Sequence, residues 1–102
     1  MTNKKAPYKE WQVLEITWLV NENMDREEEL DRMELTGIIK DEKAAVTAYE
    51  KEVAKAHKEK LRSINDNEIW IELHEFNYEW DDGMNDYCCE EECLLYEVFP
   101  KE

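Results

Sequence analysis

The sequence has few of the residues that form nucleotide-binding loops, membrane-spanning helices or histidine-based catalytic sites. Its 102 residues include two glycines, two prolines and two histidines. No apolar run approaches the roughly 18 residues of a membrane span, and no glycine-rich phosphate loop is present. The N-terminal segment is polar and carries lysines rather than a signal-peptide core, so we expect a cytoplasmic protein.

Basic residues are also scarce. Lys and Arg number 13 against 27 Asp and Glu, and the formal net charge is −14. Binding to DNA, RNA or an anionic membrane needs a basic surface, so direct contact with any of them is not expected. A basic surface on another protein is the expected partner. Because 42% of the residues are hydrophobic and 11% aromatic, the chain has the composition of one folded domain.

The first half of the chain predicts two strands. From Trp11 to Val20 the chain is rich in β-branched and aromatic residues that alternate onto one face, which predicts a strand. A helix is the alternative, since Trp11, Leu14 and Trp18 also have helical spacing. Residues 21–31 are expected to form an acidic loop, with a short helical turn where Asp25 and Glu28 match a capping box. Residues 33–40 alternate again and predict the second strand.

Residues 42–63 predict an amphipathic helix. Asp41 is the expected N-cap, and basic side chains crowd the last turns, where they offset the helix dipole. Asn65, Asp66 and Asn67 are expected to end the helix. The apolar stripe consists of Val46, Tyr49, Val53, Ala56, His57, Leu61 and Ile64.

The chain after the helix predicts a hairpin. Ile69, Ile71 and Leu73 alternate as in a half-buried strand, but the parity of apolar residues changes after His74. Either the strand continues with an aromatic outer face, or a β-bulge near His74 and Glu75 returns the aromatics to the core, and we favour the bulge. The turn is expected at residues 81–83, followed by a loop over 84–92. The inner face of the last strand is expected to consist of Leu94, Tyr96 and Val98.

Together these elements predict one α+β domain of order β-β-α-β-β, an antiparallel sheet with one amphipathic helix packed on one face. Residues 1–9 are expected to form a flexible N-terminal segment, and residues 65–102 an acidic β-hairpin. Residues 1–64 hold 14 acidic and 12 basic residues, a net of −2, whereas residues 65–102 hold 13 acidic residues and one lysine, a net of −12. The negative charge therefore belongs almost entirely to the hairpin.

This concentration of charge suggests mimicry of nucleic acid. Side chains two apart on a strand are separated by roughly 6.8 Å, close to twice the rise per base of duplex DNA, so strand carboxylates can approximate a row of phosphates. Neighbouring aromatics, Trp70, Phe76, Tyr78 and Trp80, would serve as hot-spot anchors. The alternative is that the acids form a solvated face and the aromatics pack the core. The predicted partner-binding residues are Glu68, Trp70, Glu72, Glu75, Glu79, Asp81, Asp82, Asp86, Glu90, Glu91 and Glu92.

Other chemistry has weaker support. Cys88, Cys89 and Cys93 lie within six residues, and an odd count so closely spaced is a poor disulfide framework. With His74 they would offer three thiolates and an imidazole to zinc, but the usual pattern has two separated ligand pairs. The acidic turn lacks the order of a calcium loop. From these spacings we expect no metal site and no cofactor. His57 and His74 have no adjacent Ser or Cys partner, so we expect no enzyme activity.

The segments 37–45 and 70–73 resemble small, acidic, uncharacterised phage-encoded β-β-α-β-β proteins. The resemblance covers residues 11–80 and rests on the strand-to-helix junction Gly-Ile-Ile-Lys-Asp-Glu-Lys-Ala-Ala followed by Trp-Ile-Glu-Leu. Many short acidic phage proteins block host restriction, CRISPR, replication or transcription factors, so the resemblance implies an inhibitor acting in the host cytoplasm. It supplies no active site.

The sequence therefore predicts a non-enzymatic inhibitor of a host nucleic-acid-binding protein or defence enzyme. The alternative is a self-associating scaffold domain, a homodimer formed through an exposed sheet edge.

Overall fold

A computed structural model of the protein describes residues 6–20, 26–59 and 67–99. Four antiparallel strands form one sheet of order β2-β1-β3-β4, and a single helix lies between the second and third strands in the chain. The predicted β-β-α-β-β arrangement is confirmed. The elements are β1 (Tyr8–Val20), β2 (Arg26–Glu34), α1 (Glu42–Lys58), β3 (Asn67–Asp81) and β4 (Asp86–Phe99).

The two central strands, β1 and β3, pair without a register shift from Tyr8 opposite Tyr78 to Leu19 opposite Asn67. Strict alternation along β3 therefore continues through His74, and the predicted bulge in this strand is wrong. The strand instead continues with Phe76 and Tyr78 on the same face as Glu72 and His74, the face that does not carry the helix. This is the other alternative that the sequence left open.

α1 packs on one side of the sheet, which we call the helix face. The core there is apolar and fully closed: Val13, Leu73 and Phe99 have no exposed surface, and Ile71 has 1%. Ala45 and Ala56 are the buried residues of α1, and small side chains let the helix approach the strands closely. Burying an apolar side chain contributes about 1.5–3 kcal/mol, so this layer is the main source of stability.

The N-terminus of α1 is fixed by its predicted cap. Asp41 has extended backbone angles, and its carboxylate accepts a hydrogen bond from the Ala44 amide at 2.9 Å. α1 ends at Lys58, with His57 and Lys58 in the last turn near the negative end of the dipole. Glu59 is the C-cap residue, and residues 60–63 of the predicted helix, with Ile64 of its apolar stripe, lie outside the described residues.

β2 corrects two predictions. β2 covers residues 26–34, so residues 26–31 form a strand where a loop was expected. Of the strand predicted over residues 33–40, only residues 33–34 belong to β2. Its composition is that of an edge strand, in which charged side chains face water and protect unpaired backbone groups. After β2, the chain returns to β1, where Trp11 and Ile39 form an antiparallel bridge through two backbone hydrogen bonds.

β4 also begins earlier than predicted. Residues 86–92 belong to the strand rather than to a loop. A turn follows β3 as predicted, but it spans residues 82–85 rather than 81–83, because Asp81 is the last residue of β3. One bulge interrupts β4: Leu73 lies opposite Leu95 and His74 opposite Cys93, so Leu94 is the extra residue. The predicted inner face is therefore wrong, because Leu94 packs on the helix-face core whereas Tyr96 and Val98 share the opposite face with Glu72 and Trp70.

The opposite face of the sheet is also well covered, although no helix within residues 6–20, 26–59 and 67–99 lies on it. Leu14 and Ile16 are 1% and 0% exposed. The Arg26 guanidinium lies 4.3 Å from the Trp70 ring centre, and Arg32 of β2 reaches Glu91 of β4 at 2.9 Å. Three strand spacings of roughly 4.8 Å separate these edge strands, so long side chains bridge the face. Within the described residues, no helix is long and apolar enough to cross a membrane.

Candidate functional site

The end of the β3–β4 hairpin projects past the first residue of β1. Beyond the pair Tyr8 and Tyr78, β3 and β4 pair only with each other among the residues that the structure describes. We call residues 77–92 the hairpin arm. Strand alternation gives the arm one acidic face, which lies on the same side of the sheet as the helix face. That face carries Glu79, Asp81, Asp86, Glu90 and Glu92, and Asp82 follows in the turn.

The acidic face has no cation to balance it. In the part of the chain that the structure describes, no Lys, Arg or His forms an ion pair with any of its members or with Asp82. Asp81 and Asp86 are direct cross-strand neighbours, as are Glu75 and Glu92. Like charges directly opposite each other destabilise a sheet, so the arm holds repulsion that a basic partner would relieve.

The turn holds two of these carboxylates in place. Asp81 Oδ1 accepts hydrogen bonds from the amides of Gly83 at 2.8 Å and Met84 at 3.3 Å. Asp82 accepts a hydrogen bond from the Trp80 indole at 2.8 Å. Asn85 has a φ of 54°, a left-handed conformation that asparagine tolerates in tight turns. These contacts therefore fix the positions of the Asp81 and Asp82 carboxylates at the end of the arm.

The other face of the arm is aromatic. The Tyr8 and Tyr78 rings stack with centres 4.5 Å apart, and Tyr87 packs edge-on against Tyr8 at 4.9 Å and against Trp80 at 5.2 Å. Of the predicted anchors, Tyr78 and Trp80 therefore belong to this cluster. Apart from Glu91, which lies opposite Phe76 on the aromatic face, the acids and the aromatics lie on opposite faces of the arm.

Several predicted binding residues lie elsewhere. Glu72 is 1% exposed and Glu75 is 7% exposed, so both carboxylates are inside the protein, on opposite faces of β3. Trp70 is buried and stacks on Tyr96, with ring centres 4.6 Å apart. Glu68 accepts a hydrogen bond from the Trp70 indole at 3.1 Å. The structure thus separates these four residues from the exposed acids of the arm.

Glu72 belongs to a polar group on the opposite face, which we call the Glu72–His74–Cys93 cluster. Glu72 and His74 are buried, whereas Cys93 is exposed. One potential ligand atom from each residue lies within 4.8 Å of the other two. His74 Nε2 is 2.9 Å from Glu72 Oε1, and the Trp18 indole donates to Glu72 Oε2 at 2.7 Å. The His74 side chain is 8% exposed. The cluster therefore combines a carboxylate, an imidazole and a thiol in one place.

Glu91 connects this cluster to the surface. Its Oε2 atom lies 2.5 Å from His74 Nδ1 and accepts a hydrogen bond from Arg32 at 2.9 Å. The approach to His74 does not have the geometry of a hydrogen bond, and Nδ1 is buried without a hydrogen-bond partner among the described residues. Arg32 is held in turn by two hydrogen bonds to Glu29, at 2.8 and 3.0 Å.

The contacts within the cluster shift the pKa values of Glu72 and Cys93. Burial alone would raise the pKa of Glu72, but hydrogen bonds from His74 and Trp18 outweigh that effect and lower it. Removal from water, together with the Glu72 charge, raises the pKa of Cys93 to about 12. Cys93 is therefore a thiol beside a carboxylate, a state in which it is a poor nucleophile.

The bulge at Leu94 assembles this cluster, which is why the sequence did not reveal it. Without the extra residue, Cys93 would lie on the side of β4 away from Glu72 and His74. The pattern Glu-x-His did place two of the residues on one strand face, but the parity of the third depended on the bulge. Cys88 lies opposite Glu79 and Cys89 opposite Tyr78, so the predicted alternative set of three thiolates with His74 does not come together.

His57 has a simpler environment. It lies on α1, pairs with Glu97 at 2.8 Å and packs beside Phe99.

Comparison with known proteins assigns a function neither to the acidic face of the hairpin arm nor to the Glu72–His74–Cys93 cluster. No family model, curated protein or solved structure gives a significant match to the chain.

Proposed function

We propose that this protein is a non-enzymatic inhibitor that covers the nucleic-acid-binding surface of another protein with the acidic face of its hairpin arm. One observation carries the proposal: five carboxylates share one face of a projecting two-stranded arm, and none of them has a basic partner among the described residues. The resemblance to phage proteins favours a host defence, replication or transcription factor as the target.

The arrangement suits a groove that normally holds a phosphate backbone. Carboxylates two residues apart on one strand, such as Glu79 and Asp81, are separated by roughly 6.8 Å, and those on the neighbouring strand lie roughly 5 Å across the ladder. Two rows of negative charge about one strand apart therefore run along the arm. A basic groove would attract them over a distance set by the Debye length, about 10 Å at 0.1 M salt.

Neutralising the face while preserving its shape tests the proposal. The variant Glu79→Gln, Glu90→Gln, Glu92→Gln removes three charges and avoids the buried Glu72 and Glu75. A matched control, Glu28→Gln, Glu50→Gln, Glu59→Gln, removes three charges from exposed sites elsewhere. Each immobilised protein is exposed to a nuclease-treated bacterial lysate, washed, and eluted first with duplex DNA and then with high salt.

The expected result is a nucleic-acid-binding protein that duplex DNA displaces from the wild type and from the control. The arm variant should capture at least about tenfold less, a loss of roughly 1.4 kcal/mol in binding. Equal capture by the arm variant, or capture that resists both DNA and salt, would contradict the proposal. Recovery of the protein's own copies alone would favour the self-associating domain instead.

A further inference from the structure

We propose that Glu72, His74 and Cys93 form a binding site for one Zn²⁺ ion on the face of the sheet opposite the helix. This inference is independent of the proposed inhibitor function, because the acidic face of the arm lies on the other side of the sheet. The ligands would be a carboxylate oxygen of Glu72, Nε2 of His74 and Sγ of Cys93.

The three donor atoms are already close to the required separations. Zinc binds nitrogen and oxygen at about 2.0–2.2 Å and sulfur at about 2.3 Å, so tetrahedral ligands lie roughly 3.3–3.6 Å from one another. In the protein one donor atom of each residue lies within 4.8 Å of a donor atom of the other two, and Nε2 of His74 and Oε1 of Glu72 are 2.9 Å apart. Small side-chain rotations would bring all three to an ion. Water would complete the fourth position.

The environment of His74 suits a histidine that binds a metal through Nε2, the ring nitrogen that faces Glu72. The imidazole is 8% exposed, has carboxylates at both nitrogens, and leaves Nδ1 without a hydrogen bond. A metal-binding histidine commonly donates its second ring N–H to a carboxylate, which fixes the tautomer and the ring orientation. With zinc on Nε2, Nδ1 would carry the proton and Glu91 would be its acceptor. Glu91 is thus a positioning residue rather than a ligand.

The supporting contacts hold the carboxylates where a cation would need them. The Trp18 indole donates to the second oxygen of Glu72, which leaves Oε1 facing His74. Arg32 donates to Glu91 and balances its charge. The bulge at Leu94 directs Cys93 onto the same face, and bulges often redirect side chains next to functional sites.

The donor set selects the metal. Ca²⁺ and Mg²⁺ prefer oxygen ligands alone, and a thiolate disfavours both. One thiolate, one imidazole and one carboxylate suit the intermediate softness of Zn²⁺. On binding, the Cys93 S–H bond breaks, a Zn–S bond forms, and the proton leaves to solvent. The two anionic ligands then neutralise the charge of the ion, and the ion links β3 to β4.

Cobalt substitution provides a direct test, because Co²⁺ occupies zinc sites and reports its ligands by colour. The reduced full-length protein is titrated with Co²⁺ without oxygen, and then with Zn²⁺. The test variant is Cys93→Ser. The control is Cys88→Ser, Cys89→Ser, which removes two nearby thiols that lie outside the cluster. Circular dichroism in the presence of a chelator checks that each variant folds.

The wild type and the control should bind one Co²⁺ per chain with a thiolate-to-metal charge-transfer band, which Zn²⁺ abolishes. Cys93→Ser should lack that band. No band in the wild type would overturn the proposal, as would a band that survives Cys93→Ser but disappears in the control, since the metal would then sit on the arm cysteines.

Glu91→Gln gives a second measurement that does not remove a ligand. Competition with a chromophoric chelator should show Zn²⁺ affinity reduced about 10- to 100-fold, the usual effect of losing an outer-shell carboxylate. Its folding in the absence of metal, followed by circular dichroism, should be retained because Glu91 is exposed. Unchanged affinity in this variant would contradict the role assigned to Glu91.

Discussion

Glu15 illustrates the cost of a charge near the core. It lies on the helix face of β1, where Val13 precedes it by two residues, and it is half-buried. Burial, followed by repulsion from Asp31, raises the pKa of Glu15 above 4.5. Because its folded-state pKa exceeds the unfolded value, its contribution to stability is complete below the unfolded pKa and is lost as the pH rises through the folded pKa.

Glu15→Gln should therefore stabilise the fold at pH 7, by no more than about 0.5 kcal/mol because Glu15 still contacts water. The gain should disappear at acidic pH, where Glu15 is protonated in both states. Urea unfolding at pH 7 and near pH 4 measures the difference. The exposed Glu50→Gln on α1 is the control, and an equal gain there would refute the argument.

Glu75 shows how a carboxylate can be buried at an acceptable cost. It accepts hydrogen bonds from the Trp11 indole at 3.2 Å and from Asn77 at 3.0 Å, and Lys9 lies 3.5 Å away. Removing the acceptor leaves the buried indole N–H of Trp11 unpaired, which costs more than losing a typical exposed hydrogen bond.

Glu75→Ala should consequently lower the free energy of unfolding by about 1–3 kcal/mol. Glu75→Gln retains an acceptor oxygen and should lose less than the alanine variant. Urea unfolding followed by tryptophan fluorescence compares the two. Similar losses in both variants would mean that the charge matters more than the hydrogen bond to Trp11.

At the scale of the elements, the start of α1 rests on one side chain. Asp41→Ala leaves the Ala44 amide without its capping acceptor and should destabilise the protein by about 1 kcal/mol. Asp41→Ser supplies another capping oxygen and should recover most of the loss. Thermal unfolding by circular dichroism measures both. A full loss in the serine variant would show that the negative charge, rather than the cap, is responsible.

The elements also differ in how well the sequence predicts them. α1 was predicted because its apolar stripe repeats at helical spacing and its cap is local. β2 was missed because an edge strand buries little, so residues 26–32 carry almost no apolar alternation. The first seven residues of β4 were missed for the same reason. They belong to the two-stranded arm, where the acidic face packs on no core, so their sequence does not alternate between apolar and polar residues.

At the scale of the whole molecule, charge is distributed unevenly along an elongated body that measures 60 by 29 by 17 Å. The carboxylates of the acidic face, which form no ion pair among the described residues, lie together at the hairpin end, and their repulsion acts against folding. Salt screens this repulsion, because the Debye length shortens from about 30 Å at 0.01 M to about 3 Å at 1 M.

The midpoint of thermal unfolding should accordingly rise with NaCl concentration. The arm variant with Gln at positions 79, 90 and 92 should unfold at a higher temperature than the wild type in low salt, and its midpoint should respond less to salt. Scanning calorimetry at several salt concentrations tests this without any partner. The same salt response in both proteins would place the repulsion elsewhere.

The candidate sites, like the elements of the fold, could be predicted from the sequence only in part. The exposed acids of the arm could be predicted, because a net charge of −12 in residues 65–102 is a property of composition. Which acids are exposed could not be predicted. Glu72 and Glu79 look alike in the sequence, yet one is buried beside His74 and the other faces water.

The sequence by itself determined the element order, the capped helix, the turn after β3 and the acidic hairpin, because each depends on local spacing or on composition. The tertiary structure alone decided the faces. It placed the bulge in β4 rather than β3, separated the acids of the arm other than Glu91 from its aromatics, and joined Cys93 to Glu72 and His74. A shift of one residue in a strand exchanges its two faces, and only the pairing of distant strands fixes that register.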